Sequence, residues 1–334
     1  MNITILIPVY NDWVALSHLV NKLSDVLAAE FDPVVDRARI LVIDDGSSEA
    51  PALDISLPDT GMIERLDVLT SAVNTGHQRA IVLGLAHLAR QASERDSFAA
   101  DYVVVMDADG EDRPEDVPRL LREAAREPGK IVLAIRKQRS ESIGFRLGYA
   151  CYRFLFRVLA GIRIGHGNFC VLPAGELPRL ASDPRLWNHF AASLLISKRP
   201  LVRVDTRRGF RLDGGSKMAS MELFSLGFSA ISVFLEQISI RSILASAVIA
   251  VLTIVGLLGL WVKTESGAAE PAAWVWIAGL FVLAVALQVG LWAFAAILFI
   301  SHNRQRRYFI PLHDSYLFER DVRTLLSKET PPAA

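Results

Sequence analysis

The sequence predicts an α/β protein with a mainly parallel sheet, followed by an amphipathic helix and a two-helix membrane hairpin. Three observations support this fold class. Short apolar runs alternate with helical patterns over the first 135 residues, several of those runs end directly in acidic residues, and two long uncharged stretches follow towards the C-terminus. An alternation of strand and helix patterns is typical of β-α-β units, which build parallel sheets.

The apolar runs set the positions of the predicted strands. Five strands are expected at Ile3 to Ile7, Ile40 to Ile43, Leu66 to Leu69, Val103 to Met106 and Ile131 to Ile135. Helical periodicity between them predicts helices at Trp13 to Ala29, His77 to Gln91 and Glu115 to Glu127. Further along the chain we expect a helix from Phe145 to Leu159, a Gly-rich turn from Gly161 to Asn168 and a last strand near Leu201 to Arg207.

Polar side chains follow three of these strands at the point where each strand ends. They occupy Pro8 to Asp12, Asp44 to Ser48 and Asp107 to Asp112. Because the carboxyl ends of parallel strands meet at the same edge of a sheet, we expect these three segments to line one cleft.

Two stretches near the C-terminus are long and apolar enough to cross a bilayer. Residues 243–262 contain no charged side chain, and Gln288 is the only strongly polar one between Ala272 and Ile300. About 20 apolar residues are needed to span the hydrocarbon core. The loop between the stretches is short, so both ends of the hairpin lie on one side. The alternative is a pair of buried helices in a soluble protein.

The basic residues that flank the hairpin predict its orientation. Arg241 precedes the first span, and Arg304, Arg306 and Arg307 follow the second. The positive-inside rule then places both ends in the cytoplasm. The N-terminus reads as a strand and not as a signal peptide. We therefore expect a multi-pass protein of the inner (plasma) membrane with a cytoplasmic catalytic domain.

These features divide the chain into four predicted parts. Residues 1–217 form a cytoplasmic domain, 218–238 an interfacial amphipathic helix, 239–301 the hairpin with spans at about 243–262 and 274–300, and 302–334 a cytoplasmic tail. A broad apolar face directly before a span favours a helix in the plane of the membrane interface. An ordinary core helix is the alternative for this part.

The net charge of zero conceals a division along the chain. Residues 1–135 carry 23 acidic and 12 basic side chains, whereas residues 136–217 carry 5 acidic and 16 basic ones. This pattern predicts a cation-binding half followed by an anion-binding half, with no nucleic-acid partner. The two cysteines, Cys151 and Cys170, lack metal-ligand spacing and are expected to be packing residues.

Asp107 and Asp109 are the strongest candidates for chemistry. They directly follow a purely apolar strand, with one small residue between them. Carboxylates at a strand end can supply oxygen ligands to a divalent cation that holds a diphosphate. We predict Mg²⁺ or Mn²⁺ here, with Glu111 as a third ligand, and hence a nucleotide-sugar enzyme.

The motifs together resemble those of family 2 glycosyltransferases, in particular the membrane-anchored branch similar to dolichyl-phosphate mannose synthases and bacterial polyprenyl-phosphate glycosyltransferases. The matching segments are IPVYND at 7–12, VIDDGSS at 42–48, NTGHQRA at 74–80, DADGEDRPED at 107–116, and RLDGGSK at 211–217 before the two spans. The resemblance implies a Rossmann-like GT-A domain. It also implies the activity of a polyprenyl-phosphate glycosyltransferase.

The resemblance assigns three sets of site residues. The nucleotide-sugar would be bound by Pro8, Tyr10, Asp12, Asp44, Asp45, Asn74, Gly76, Gln78, Asp107 and Asp109. The acceptor phosphate would be bound by Arg136, Arg146, Asn168 and Arg211. The catalytic set would be Asp109, Arg136, Arg146, Arg211, Ser216 and Lys217. Three of these residues have purely structural alternatives, because Asp44 and Asp45 could serve only in an Asx turn and Asn74 could only cap a helix.

Three positions depart from the pattern of the resembled proteins. Glu111 replaces a common Gln, Ala150 replaces a Ser, and Asn168 replaces an Asp. Asn cannot act as a general base, but a phosphate-monoester nucleophile is already ionised at neutral pH. We therefore expect a mechanism without a base, in which Asn168 orients the nucleophile.

The predicted reaction is an inverting, metal-dependent transfer of sugar from a UDP- or GDP-sugar to a polyprenyl phosphate, with nucleoside diphosphate as the second product. Homo-oligomers through the hairpin are expected from the resemblance. Two alternatives remain: a non-catalytic membrane partner that kept the fold, and transfer to a neutral lipid hydroxyl. A processive polysaccharide synthase is disfavoured, because no Gln in the chain begins a Gln-x-x-Arg-Trp motif.

Overall fold

The computed structural model describes residues 1–29, 34–49, 51, 53–55, 61–92, 98–136, 157–158, 161, 166–209, 220–267, 272–303 and 308–328. The chain divides into two compact units. The first comprises residues 1–142, 165–230 and 309–334, and the second comprises residues 143–164 and 231–308.

The first unit contains an eight-stranded mixed sheet. Its strands are β1 (Asn2–Val9), β2 (Arg37–Asp44), β3 (Ile63–Ser71), β4 (Tyr102–Val105), β5 (Ile131–Arg136), β6 (His166–Pro173), β7 (Leu201–Thr206) and β8 (Glu319–Ser327). The order across the sheet is β7-β5-β6-β4-β1-β2-β3-β8. Strand β6 is antiparallel to β4 and β5, and β8 is antiparallel to β3, while the remaining pairs are parallel. The prediction of a mainly parallel sheet is confirmed.

Helices cover both faces of this sheet. In chain order the described α-helices are α1 (Trp13–Ala28), α2 (His77–Gln91), α3 (Val117–Arg126), α4 (Leu177–Ala181), α5 (Phe190–Ile196), α6 (Ser220–Val233), α7 (Leu235–Glu265), α8 (Ala273–Asn303) and α9 (Pro311–Asp314). Alternate residues of β1 explain the two layers. Ile5 and Ile7 pack in the cluster that contains α1 and α3, whereas Leu6 packs in the cluster that contains α2, α4 and α5. Burial on both faces accounts for the continuous apolar runs of the central strands.

The strand order positions the cleft. From β1 the chain proceeds to β2 and β3 on one side, and then returns to place β4 on the other side of β1. Such a reversal leaves a crevice at the carboxyl ends of the two strands where the order switches. The segments after β1 and β4 are the ones in which the sequence places Tyr10, Asp12, Asp107 and Asp109.

The C-terminal segment returns to the first unit and completes its sheet. Residues 308–328 belong to the part predicted as a cytoplasmic tail, and they include α9 and β8. Trp187 packs against Phe309 and Phe318, with ring centroids 4.4 and 5.3 Å away. Glu319 pairs with Arg90 and His87 of α2. This segment is therefore an integral part of the folded domain.

The second unit contains the two long apolar helices. Within residues 235–265 and 273–302, the most apolar 18-residue windows have mean hydropathies of 2.7 and 2.4, and only 11% of the residues in each window are buried. Helices α7 and α8 pack antiparallel to each other. A Cβ at Gly279 would lie 2.6 Å from Leu257, and one at Gly290 would lie 3.3 Å from the Cβ of Ser246. The two glycines of α8 thus leave room for the side chains of Leu257 and Ser246 on α7, and small residues allow such close approach in membrane helix pairs.

The helices after the sheet agree with the predicted order of elements. Helix α6 covers much of the part predicted as an interfacial helix, and α7 and α8 cover the two predicted spans. Two long helices whose apolar side chains are mostly exposed are unlike the core helices of a soluble protein, because water would hydrate that surface at a large cost in free energy. The position of α6 in the membrane interface stays a prediction.

Candidate active site

The loops after β1 and β2 are tied together at the edge of the sheet. Asn11 has a left-handed backbone with φ of 50°. Its side-chain Oδ1 accepts hydrogen bonds from the backbone N–H groups of Ser48 (3.0 Å) and Glu49 (3.1 Å). The hydroxyl of Ser47 in turn accepts from the backbone N–H of Asn11 at 2.9 Å. These bonds fix one wall of the cleft.

The two acidic residues at the end of β2 use their oxygens to hold neighbouring loops. Asp44 accepts from the backbone N–H of Ser47 at 2.8 Å, which holds the turn after β2. Asp45 accepts from the N–H and hydroxyl of Thr75, both at 2.7 Å, and from the N–H of Gly76 at 2.8 Å. Burial raises the pKa of Asp45, although the bonds from Thr75 and Gly76 oppose the rise. The predicted contacts of Asp44 and Asp45 with a nucleotide would therefore be made in addition to these hydrogen bonds.

The residues after β1 retain an accessible surface. Pro8 lies within β1, opposite Ile43 in the parallel register. Tyr10 is 49% exposed, so its side chain is accessible to a ligand in the cleft. Asp12 immediately precedes α1, and its side chain forms no capping hydrogen bond to that helix. Tyr10 and Asp12 therefore remain suited to the predicted contacts with a nucleoside.

The start of α2 faces the end of β4. Gly76 precedes the helix with φ of 90°, and the Oδ1 of Asn74 accepts from its N–H at 3.1 Å. Asn74 thus forms a local turn and does not cap the helix itself. Gln78 in the first turn donates from Nε2 to the Oδ1 of Asn168 at 2.9 Å. The sequence did not single out His77 as a site residue, yet its Nε2 lies 3.0 Å from the Oδ1 of Asp107.

Asp107 is the centre of a polar network. The Nδ2 of Asn168 lies 3.2 Å from the Oδ1 of Asp107 and 2.9 Å from the Nε2 of His77. Burial opposes ionisation of Asp107, but His77, Arg136 and the Asn168 amide lower its pKa to about 2. Desolvation opposes protonation of His77, but Asp107 and Asp109 raise its pKa above the usual value. The network therefore favours a carboxylate at Asp107, and Asn168 joins the donor side of the site through its contact with that carboxylate.

A second carboxylate, Asp112, anchors the turn from inside. It is 1% exposed and accepts from the backbone N–H of Asp107 at 3.0 Å and from Nη2 of Arg136 at 2.5 Å. Burial and the nearby Asp107 carboxylate raise the pKa of Asp112 to about 7, and Arg136 opposes that rise. From the sequence, Asp112 was predicted only as part of the polar segment that lines the cleft, and its role as an internal anchor was not predicted.

Glu111 lies among arginines. Its Oε2 accepts from Nη1 of Arg136 at 3.0 Å, and its Oε1 accepts from Nη2 of Arg208 at 2.6 Å. Its backbone N–H donates to the Oδ1 of Asp109 at 2.9 Å. The predicted metal residues Asp107, Asp109 and Glu111 therefore share one turn, while the Glu111 side chain pairs with two cations.

The donor set of this turn fits a metal whose coordination the substrate completes. Among the residues that the structure describes, no group of three or more His, Cys, Asp or Glu side chains is arranged to hold a metal ion. Mg²⁺ is commonly held by one or two carboxylates together with substrate phosphates and water. Asp107 and Asp109 provide two carboxylates at a strand end, so they are sufficient for such a site.

Several predicted acceptor and catalytic residues cannot be placed. Arg146, Arg211, Ser216 and Lys217, together with the substituted position Ala150, lie outside the described residues. Arg136 and Asn168 are described, and both contact the network around Asp107.

The fold and the site together define an α/β domain with paired carboxylates at the switch point of a mainly parallel sheet. The sequence model of glycosyl transferase family 2 matches residues 4–167. These residues therefore form a glycosyl transferase family 2 domain, and the resemblance found in the motifs is confirmed.

Relatives with assigned activities include the undecaprenyl-phosphate 4-deoxy-4-formamido-L-arabinose transferases of Salmonella paratyphi A and Salmonella dublin. Each is 25% identical over 236 residues, which is 69% of this chain and 66% of the relative. The match thus spans slightly less than two thirds of those proteins. Among solved structures, glucosyl-3-phosphoglycerate synthase from Mycobacterium tuberculosis, in complex with Mn²⁺, uridine diphosphate and glucosyl-3-phosphoglycerate, is similar with a TM-score of 0.43 and 17% identity, covering 71% of this chain and 79% of that one.

Proposed function

We propose that this protein transfers a sugar from a nucleotide-sugar to a polyprenyl phosphate at the membrane surface. One observation carries the proposal. A single chain joins a family 2 glycosyltransferase domain to two long, exposed apolar helices, and its match to undecaprenyl-phosphate sugar transferases extends over 69% of its length. A lipid-linked acceptor explains why a sugar-transferring domain is fused to such helices.

The donor side of the reaction lies at the Asp107 turn. Mg²⁺ or Mn²⁺ held by Asp107 and Asp109 would neutralise charge on the departing diphosphate. His77 lies beside Asp107 at the start of α2, and the backbone N–H groups at a helix start favour anions. Tyr10 and Asp12 hold the nucleoside at the adjacent strand end.

The acceptor side needs to position a phosphate that is already ionised. Arg136 and Asn168 are the described members of the proposed acceptor set, and the guanidinium fork of Arg136 matches the edge of a phosphate. Arg146, Arg211, Ser216 and Lys217 complete the proposed set by resemblance. Because the phosphate nucleophile is already ionised, no general base is needed. Asn168 can then orient groups at the site by hydrogen bonds alone. A single in-line displacement inverts the anomeric configuration.

The membrane helices supply the lipid acceptor from the bilayer. We propose a multi-pass inner-membrane protein whose catalytic domain is cytoplasmic, on the basis of Arg241 before α7 and the basic cluster after α8. A nucleotide-sugar made in the cytoplasm would then meet a lipid phosphate at the same membrane face.

The proposal is tested by reconstituting the purified full-length protein with undecaprenyl phosphate, Mg²⁺ and a panel of UDP- and GDP-sugars. Mass spectrometry should detect a lipid-phosphate-sugar with one of the donors, and NMR of the product should show inversion. Asp109→Asn should abolish turnover, because it removes a charged ligand of the proposed metal site. Glu115→Ala is a matched control, since Glu115 pairs with Lys22 outside the network at Asp107.

Each alternative predicts a different result from this assay. A non-catalytic partner would give no product with any donor or acceptor. Transfer to diacylglycerol but not to undecaprenyl phosphate would assign a neutral lipid hydroxyl as the acceptor. Full activity after treatment with EDTA would overturn the metal dependence.

A further inference from the structure

Glu111 stands where the resembled enzymes have a glutamine, and its surroundings indicate what the change does. Its two carboxylate oxygens each accept from a different arginine: Oε2 from Arg136 at the end of β5, and Oε1 from Arg208 just after β7. The side chain is 18% exposed, so the pair is shielded from much of the solvent. Glu111 thus joins two strand ends at the edge of the cleft.

The backbone supports the same junction. The N–H of Gly209 donates to the carbonyl oxygen of Glu111 at 2.9 Å. A Cβ at Gly209 would lie 2.2 Å from the carbonyl oxygen of Gly110, so only glycine permits this contact. The backbone N–H of Arg207 also donates to the carboxylate of Asp116. Residues 207–209 are therefore packed directly onto the Asp107 turn, with Arg208 fixed between them.

The chemistry of the side chain explains why glutamate suits this place. A carboxylate offers acceptors on both oxygens, whereas a glutamine offers one oxygen and an NH₂ group that can only donate. With Gln at 111, one guanidinium would face another donor. A role between two arginines therefore requires the carboxylate.

We propose that Glu111 is a positioning residue that holds Arg136 and Arg208 in place for the phosphate groups of the reaction, and that it is not a metal ligand. This inference rests on the proposed function for what the arginines bind. It reverses our own sequence prediction for Glu111. It also accounts for the extra carboxylate near Asp107 and Asp109, because two cations balance its charge.

The first test separates positioning from metal binding. Mn²⁺ binding in the presence of UDP is measured by electron paramagnetic resonance for the wild type, Glu111→Gln and Asp109→Asn. We expect Mn²⁺ affinity to change by less than about twofold in E111Q and to fall by roughly tenfold or more in D109N, the positive control. A tenfold loss in E111Q would overturn the proposal.

The second test measures coupling between Glu111 and Arg208. Steady-state kinetics with undecaprenyl phosphate are measured for Glu111→Ala, Arg208→Ala and the double variant, with Glu115→Ala as the matched acidic control. We expect each single variant to raise the acceptor KM by roughly tenfold, with a smaller change in kcat, and the double variant to be no worse than the singles. Independent, multiplying effects would overturn the proposal.

The two proposals fail in different ways. If the wild type transfers no sugar to the lipid phosphate, the proposed function fails. The positioning role is then tested in two other ways. One is Mn²⁺ binding. The other is thermal unfolding of the two single variants and the double variant, in which coupled residues give non-additive losses of stability. Additive losses there would overturn the role of Glu111 even in an inactive protein.

Discussion

Removal of the Glu319 carboxylate should destabilise the first unit strongly, although Glu319 is far along the chain from the core. Its oxygens accept from Arg90, in a close ion pair, and from Nδ1 of His87 at 3.1 Å. The carboxylate is 17% exposed and His87 is 9% exposed. In Glu319→Ala both donors of α2 lose their acceptor in a shielded place.

The magnitude follows from what remains after the change. An unsatisfied shielded donor costs about 1–3 kcal/mol, and here two donors are affected. Arg90 keeps its bonds to the carbonyl oxygen of Leu312 and the hydroxyl of Ser315, both at 2.9 Å, which limits its share. We expect a loss of about 2–4 kcal/mol in the free energy of unfolding. For a domain of this size that is a decrease in Tm of roughly 4–16 °C.

The assay is thermal unfolding of the full-length protein in one detergent, followed by circular dichroism. Glu123→Ala is the matched control, because Glu123 on α3 forms an exposed pair with Arg126 at 3.6 Å, and such pairs contribute less than about 1 kcal/mol. Protease digestion before heating should cleave the C-terminal segment faster in Glu319→Ala. A decrease in Tm no larger than that of Glu123→Ala would refute the reasoning that the C-terminal segment is clamped to α2 by this carboxylate.

Three further outcomes are expected. Gly84→Ala should cost about 1–3 kcal/mol in the same melt, because its Cβ would lie 2.7 Å from side-chain atoms of Leu6 and Ile43; an unchanged Tm would contradict this close packing. Burial and neighbouring histidines lower the pKa of His189 to about 4, so the folded protein binds fewer protons than the unfolded chain between pH 4 and 6.5, and stability should fall as the pH decreases through that window. His189→Asn keeps an acceptor for the start of α5 and should flatten the pH dependence of Tm there; equal slopes would exclude His189 as the cause. Asp107→Asn should weaken Mn²⁺ binding in the presence of UDP by tenfold or more, and unchanged binding would remove Asp107 from the metal site.

The central strands could be predicted because they are buried on both faces. β1, β2 and β5 each contain a continuous buried apolar run, and their ends in the structure differ from the predicted ends by a few residues. β6 was missed, because its first residues, His166 to Asn168, are typical of a turn. They extend a strand that is held on both sides by β4 and β5.

β8 was missed for a different reason. Its sequence, ERDVRTLLS, carries four charged residues, and most of its side chains are exposed. An edge strand has one hydrogen-bonded neighbour and no requirement for apolar alternation, and charged side chains protect its free edge from pairing with other chains. The spacing of apolar residues therefore does not predict this strand. Only the contact with β3 in the folded chain defines it.

The site shows the same limit at the level of single side chains. The order of the motifs predicted that the acidic residues lie at one edge of the sheet. It did not predict which of their oxygens accept hydrogen bonds from the protein itself. Asp45 holds the start of α2, and Glu111 holds two arginines. Both facts depend on hydrogen-bond partners that lie 25 or more positions away. His77 was missed because nothing in its spacing from Asp107 indicates that the two side chains meet.

The division of charge along the chain also has a structural meaning that composition could not supply. In the part of the chain that the structure describes, Arg136 and Arg208 of the basic half bind Glu111 and Asp112 of the acidic half. The two halves therefore neutralise each other at the Asp107 turn, and the excess of arginine is not simply a free positive surface. A guanidinium has five N–H donors, so a carboxylate that occupies one or two of them leaves others for a phosphate. The acidic partners then fix the direction in which those donors point, and fixed donors of this kind are what the proposed in-line transfer needs to position a phosphate.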